Sequence, residues 1–168
     1  MIELNIENLA KAVRGHQATD WMLPLFWALT LQYPGCRVGE IGFRGGTSAL
    51  AWLLGVREVG GYLYSMDIEE CWPGRNNIDA AKFTDYFTFI HGDSREVDFP
   101  EPLDILFIDG DHSAEGVAAD YERHRANVKA GGVVLFHDSV ECEGVRDFVR
   151  DRGFANIAIG HGLAVEVA

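Results

Sequence analysis

Apolar segments alternate with helix-patterned ones along this chain, and each of the first five apolar segments closes on a polar or acidic turn. The clearest is Leu103-Asp-Ile-Leu-Phe-Ile108, followed by Asp109-Gly-Asp-His112. A continuous apolar run bounded by turn residues suits a strand buried on both faces. Cys36 to Ile41, Tyr62 to Met66, Phe87 to Ile90 and Val133 to Phe136 read as strands in the same way. Helical patterns fall before and between them. Residues 18–32 carry Trp21, Leu25, Ala28 and Leu29 on one face and stop at Pro34-Gly35. Thr47 and Ser48 can cap a helix that carries Leu50, Leu53 and Leu54 and stops at Gly55. The loop from Glu69 to Arg75 precedes a short helix near 77–84. Ser113 can cap a helix with Ala114, Val117, Ala118 and Tyr121, ended by Gly131-Gly132. A helix at about 142–152 buries Val145, Phe148 and Val149, and weaker strands near 156–159 and 163–167 finish the chain. Such alternation predicts an α/β fold. Its doubly wound sheet is mostly parallel, with helices on both faces and an antiparallel strand at the C-terminal end.

The chain has 168 residues, which suits one domain (1–168) with an N-terminal helical segment over about 1–34. Fourteen Lys+Arg against 26 Asp+Glu leave a net charge of −12, which argues against nucleic acid and against an anionic membrane surface as partners. Cys36, Cys71 and Cys142 are odd in number and lack metal-binding spacing, so buried free thiols in a reducing, cytoplasmic setting are expected. The N-terminus shows no signal-peptide pattern, and the longest apolar stretch, Trp21 to Tyr33, is too short to span a bilayer.

In open parallel sheets, ligands bind at the carboxyl ends of the strands, at the topological switch point. Glu40, Asp67, Asp93, Asp109, Asp111, His112, His137 and Asp138 all fall at or just past strand ends. Any one of them is accounted for as a turn or capping residue; together they outline a site. The first turn, Glu40-Ile-Gly42-Phe-Arg44-Gly45-Gly46-Thr-Ser48, has a carboxylate where a dinucleotide fingerprint has glycine. A carboxylate there repels a pyrophosphate and suits a ligand with amine, ribose hydroxyl and sulfonium groups. Asp67 can accept two hydrogen bonds from a ribose diol, and Asp93 or Ser94 could reach an adenine edge. Trp72, just past Asp67, fits loop packing better than an adenine cover. Trp21, Phe26 and Trp27 read as core, with Trp21 a weak substrate candidate.

Glu40, Gly42, Gly46 and Ser48 match the pattern ExGxxxGxS, the first motif of the class I S-adenosylmethionine-dependent methyltransferases, which this chain resembles. Asp67 matches the family's acidic end of the second strand. Phe107-Ile-Asp-Gly-Asp-His-Ser113 and the run Gly131 to Asp138 resemble the small O-methyltransferase branch, with its catechol-type members and its sugar-type members acting on macrolide or rhamnosyl groups. The resemblance covers roughly residues 35–140. It implies a Rossmann-like fold and S-adenosylmethionine held by Glu40, Gly42, Arg44, Gly46, Ser48, Asp67, Asp93 and Ser94. It also implies O-methylation of a small hydroxylated acceptor (sugar, polyketide or phenol).

In the branch's metal-dependent members, the acids ending the fourth strand and following the fifth bind a divalent cation, usually magnesium. The matching positions here are Asp109 and Asp138, one strand–helix–strand unit apart, so they can end neighbouring strands about 4.8 Å apart. Two departures stand beside them. Ser139 replaces the amide of catechol-type members, and His137 replaces a second acid of some sugar-type members. Sugar-type members carry a general-base histidine at the Asp-x-x-His position, matched by His112 beside Asp109. A helix start there favours neutral imidazole, a competent base. His137 reads as a supporting residue, and His16, His91, His124 and His161 as surface or packing residues. Two rival functions remain at this point: a nicotinamide-dependent oxidoreductase, disfavoured by Glu40, and a binding module for S-adenosylmethionine without catalysis. The short chain leaves little room for a substrate lid, so a homo-oligomer could complete the pocket.

Overall fold

The computed structural model describes residues 4–13 and 21–168. Helices α1 (Ile6–Val13) and α2 (Leu23–Thr30) precede an alternating unit. Its strands are β1 (Arg37–Ile41), β2 (Tyr62–Asp67), β3 (Phe87–His91), β4 (Leu103–Ile108), β5 (Val128–His137), β6 (Ala155–Ile157) and β7 (Leu163–Val167). Helices α3 (Thr47–Val59), α4 (Trp72–Ala80), α5 (Ala114–His124) and α6 (Glu143–Asp151) lie between them. The strands form one sheet in the order β3-β2-β1-β4-β5-β7-β6. β1 to β5 run parallel, and β7 runs antiparallel to β5 on one side and β6 on the other. The chain winds outward from β1 to β3, then returns to place β4 on the other side of β1. Loops diverge above β1 and β4, which opens a crevice there.

Alternation along β4 explains why both faces are covered. Ile105 and Phe107 enter the core under α2 and α3, while Leu106 and Ile108 enter the core under α5 and α6. Phe26 stacks on Trp52 with ring centroids 4.2 Å apart, and both rings meet Phe107. This fixes the N-terminal helices against the sheet.

Packing overrides several expectations from the sequence. Gly55 lies inside α3, which runs on to a left-handed Gly60. A Cβ at Gly55 would fall 1.7 Å from Thr30 Oγ1, so the glycine is there to let α2 and α3 approach. That contact also sets the rotation of α2. Leu23, Phe26 and Thr30 are its buried residues, with Met22 buried just before it, whereas Leu25, expected on the core face, is exposed. Residues 18–20 of the expected helix, and His16, lie outside the described residues. Neither Thr47 nor Ser48 caps α3; Gly46 holds the cap position at φ 75° with no side-chain cap bond. Gly131-Gly132 does not end α5, which stops at His124. The pair sits inside β5 at a shift in its register with β4, where a Cβ at Gly132 would lie 2.6 Å from the Asp104 carbonyl oxygen. α4 starts earlier than expected. Trp72, at its first turn, is 57% exposed beneath the Arg75 guanidinium rather than packed into the loop.

Candidate active site

The crevice above β1 and β4 holds a cavity of about 350 Å³ lined by Gly42, Arg44, Asp67, Asp93, Ser94 and Asp109, among others. Five of the eight expected cofactor residues therefore share one cavity with Asp109. Gly42 brings two of its walls together. Its φ is 95°, and a Cβ there would fall 2.1 Å from the Asp109 carbonyl oxygen. Asp67 fixes the glycine-rich turn from below. Its Oδ2 accepts hydrogen bonds from the backbone N–H groups of Phe43 and Arg44, each at 2.9 Å, and Oδ1 accepts from Glu69 N–H. These bonds hold Arg44 at φ 43°, an uncommon backbone state for a side-chain-bearing residue.

Glu40, Gly46 and Ser48 are not in the cavity wall. Glu40 is fully buried behind the turn, where its two oxygens accept hydrogen bonds from Ser48 Oγ at 2.6 Å and Ser65 Oγ at 2.5 Å. Burial pushes its carboxyl up to about 8, against the opposing pull of the two hydroxyls. Glu40 thus ties β1, β2 and the start of α3 together. Gly46 does similar work from the left-handed cap, close beneath the Phe43 ring.

The far side of the cavity holds an acid the strand-end pattern could not reveal. Asp120, on α5, is 2% exposed and accepts from Ser94 Oγ at 2.6 Å. Burial raises its pKa. Asp93 is held down to about 2 by its bonds from Arg95, which also lines the cavity. The signal for Asp120 was available: an acid one position before Tyr121 on the face of α5 that turns inward.

Beside the cavity, Asp109, His112, His137 and Asp138 bring one ligand atom each within 4.8 Å of one another. His112 bridges the acids, with Nε2 3.2 Å from Asp109 Oδ1 and Nδ1 3.2 Å from Asp138 Oδ2. His137 Nδ1 stands 2.8 Å from Asp109 Oδ1 and 3.2 Å from Asp138 Oδ1. Neither acid lies along an N–H direction of that ring, and both ring nitrogens are buried without a hydrogen-bond partner. His161, read from the sequence as a surface or packing residue, belongs here too, with Nδ1 3.1 Å from Asp138 Oδ1. The loop between β6 and β7 brings it in, a long-range placement with no local sequence signal. Asp138 adopts φ 56°, which turns its carboxylate back toward Asp109. Ser139 is directed elsewhere, donating to Asn156 Oδ1 at 2.8 Å.

Charge in this cluster reverses one expectation. A helix start would depress the His112 pKa, but the bond to Asp109 and the nearby Asp138 raise it despite burial. For His137, burial alone would lower the pKa, yet the two carboxylates push it up to about 9. Burial opposes ionisation of Asp138, but His137 and its other imidazole neighbours hold its pKa below the usual range.

A family model described as a methyltransferase domain matches residues 40–139, from the buried acid of β1 to the turn after β5. The chain belongs to the methyltransferase-domain family. This excludes the oxidoreductase rival. Solved structures share its fold at low identity. Rv0187 from MTB, solved bound to cofactor, covers 96% of this chain and 87% of its own at 17% identity, with TM-score 0.79. An O-methyltransferase from Bacillus cereus, in complex with SAH, covers 97% and 90% at 19% identity, with TM-score 0.76. TomG from Streptomyces achromogenes, an O-methyltransferase of tomaymycin synthesis in complex with SAM, covers 100% and 92% at 18% identity, with TM-score 0.73. This methyltransferase domain therefore has the doubly wound, mostly parallel sheet with an antiparallel C-terminal strand that those proteins have. No helix among the described residues is long and apolar enough to cross a membrane.

Proposed function

We propose that this methyltransferase domain transfers a methyl group from S-adenosylmethionine to a hydroxyl of a small acceptor, such as a sugar, polyketide or phenol. The observation that carries the reading is the adjacency of two features. A carboxylate-lined cavity lies at the β1–β4 crevice, and a histidine bridged between two acids lies at its edge. The similar folds solved with SAM or SAH support the choice of cofactor.

In this reading Asp67 holds the ribose, Gly42 and Arg44 shape the turn against the methionine part, and Asp93 with Ser94 meets the adenine. Glu40, Gly46 and Ser48 act on the cofactor through the turn they position. S-adenosylmethionine, when bound, would supply an electrophilic methyl for displacement by the acceptor oxygen, with S-adenosylhomocysteine as the leaving group. Orientation and electrostatics supply most of the rate in such a displacement. His112 takes the acceptor's hydroxyl proton. Asp138, beside Nδ1, orients the ring, and Nε2, 3.2 Å from Asp109 Oδ1, is the nitrogen that must be unprotonated and turned to the acceptor hydroxyl for the step.

The donor set also fits a divalent cation at Asp109 and Asp138. Two carboxylates converge with a buried imidazole whose nitrogens lack partners. A cation there supplies positive charge that lowers the pKa of an acceptor hydroxyl. It would also offset the carboxylate charge that raises the His112 pKa, favouring the neutral imidazole. The free cysteines fit a cytoplasmic setting.

The test is label transfer from methyl-labelled S-adenosylmethionine across phenolic, sugar and polyketide acceptors. Stoichiometric S-adenosylhomocysteine with label on the acceptor oxygen is expected. Tight cofactor binding with no turnover on the whole panel would instead make the protein a binding module.

A further inference from the structure

We propose that the cation site is a mixed imidazole–carboxylate centre, with His137 as a direct ligand beside Asp109 and Asp138, and that it selects a divalent transition metal over magnesium. This rests on the reading that Asp109 and Asp138 hold a cation. It concerns which cation and which third ligand.

His137 is 3% exposed, and no hydrogen-bond acceptor lies along either ring N–H direction. Buried ring nitrogens without a hydrogen-bond partner are rare because desolvation is left uncompensated, and Nδ1 has only off-axis charge contacts with the two acids. The ring's Nδ1 nevertheless stands 2.8 Å from Asp109 Oδ1 and 3.2 Å from Asp138 Oδ1. These two separations, without the directionality of hydrogen bonds, are those of neighbouring donors in a coordination octahedron, and the ligand atoms of the cluster all lie within 4.8 Å of one another. Metal–ligand bonds of about 2.1 Å give neighbouring donors roughly 3.0 Å apart. Two carboxylates and one neutral imidazole leave a divalent ion with no net charge, which suits a half-buried position.

The chemistry of the third ligand decides the metal. Magnesium prefers oxygen donors and retains its waters, whereas imidazole suits the later first-row divalent metals. The oxygen donor that could have completed an all-oxygen set, Ser139 Oγ, is committed to Asn156. His112 remains outside the ligand set, between the acids, and keeps its role as base. His161 orients Asp138 from the other side, at 3.1 Å from Oδ1.

The experiment uses the full-length chain stripped with chelator and then dialysed. Calorimetry with magnesium, manganese and cobalt measures affinity, and the visible absorption of bound cobalt(II) reports nitrogen ligation independently of turnover. Wild type is expected to bind cobalt on the order of 100-fold more tightly than magnesium, with manganese between the two. His137→Gln should bring that ratio down to within about tenfold and change the cobalt spectrum. His137→Asn serves as a second variant should the first fail to fold, and His112→Ala should keep the preference. Equal affinity for magnesium and cobalt, or a ratio untouched by His137 substitution, overturns the inference while leaving a cation at Asp109 and Asp138. No saturable binding of any of the three metals overturns both.

Discussion

Gly42→Ala is the single-methyl change that should do the most damage. The new Cβ would lie 2.1 Å from the Asp109 carbonyl oxygen, 2.6 Å from its carbonyl carbon and 3.1 Å from Gly110 N. Those atoms cannot yield freely, because Asp109 N–H donates to Ile41 O at 2.8 Å and Gly42 N–H donates to Met66 O at 2.9 Å. Relief requires the β1 turn and the end of β4 to part by roughly 1 Å, a backbone adjustment of the kind overpacking forces at about 1–3 kcal/mol. Holding φ at 95° with a side chain adds about 1–2 kcal/mol. The sum, about 2–5 kcal/mol, should lower Tm by roughly 5–15 °C in a chain this long. The parting also moves Asp109, so cofactor affinity should fall with stability. Gly45→Ala is the control: it sits three residues on in the same turn, and nothing lies within 4 Å of its added Cβ. Thermal unfolding and calorimetric titration of both variants check the argument. A Gly42→Ala protein that melts and binds like wild type would show that the close approach of the two strand ends is not what shapes the cavity.

Glu40→Gln should change how stability depends on pH. With the folded pKa raised from 4.5 to about 8, the folded chain keeps a proton that the unfolded chain releases between those values. This group's contribution is therefore fully present below about pH 4.5 and falls by about 1.4 kcal/mol per pH unit up to about pH 8. Denaturant unfolding at pH 6 and pH 8 should show the variant gaining on wild type by roughly 2–3 kcal/mol, and parallel behaviour would contradict the assignment. His112→Ala should leave S-adenosylhomocysteine affinity unchanged and lower kcat by about 10²–10⁴, read by label transfer on any acceptor found in the panel. An equal loss of cofactor affinity would make His112 structural.

Strand positions and strand-end chemistry are legible where local pattern decides them. The run Leu103 to Ile108 announces a doubly buried strand, and Asp67 at the end of its strand needs no tertiary information to be noticed. Misreadings occurred where a distant partner decides. Gly55 looks like a stop until Thr30 is seen against it, and Gly131-Gly132 looks like a helix end until the Asp104 carbonyl is seen beside it. Ser48 looks like a cap until Glu40 claims its hydroxyl. In the site, the strand-end acids were found because their positions repeat with the βα unit. His161 was not, since it arrives from the β6–β7 loop with no such repeat. The burial of His137 and its unpartnered nitrogens are properties of the folded chain, which its place at the end of an apolar run does not announce.

The central claim is that the cavity above β1 and β4 binds S-adenosylmethionine through Asp67, and calorimetric titration with S-adenosylhomocysteine tests it most directly. Wild type should give saturable heat with S-adenosylhomocysteine and none with NADH. Asp67→Asn, which removes the charge and sets an amide N–H against at least one of the backbone N–H groups that Asp67 accepts from, should weaken binding by about 1.5–3 kcal/mol, roughly 10- to 150-fold. Wild type without saturable heat, or Asp67→Asn with unchanged affinity, would contradict the account.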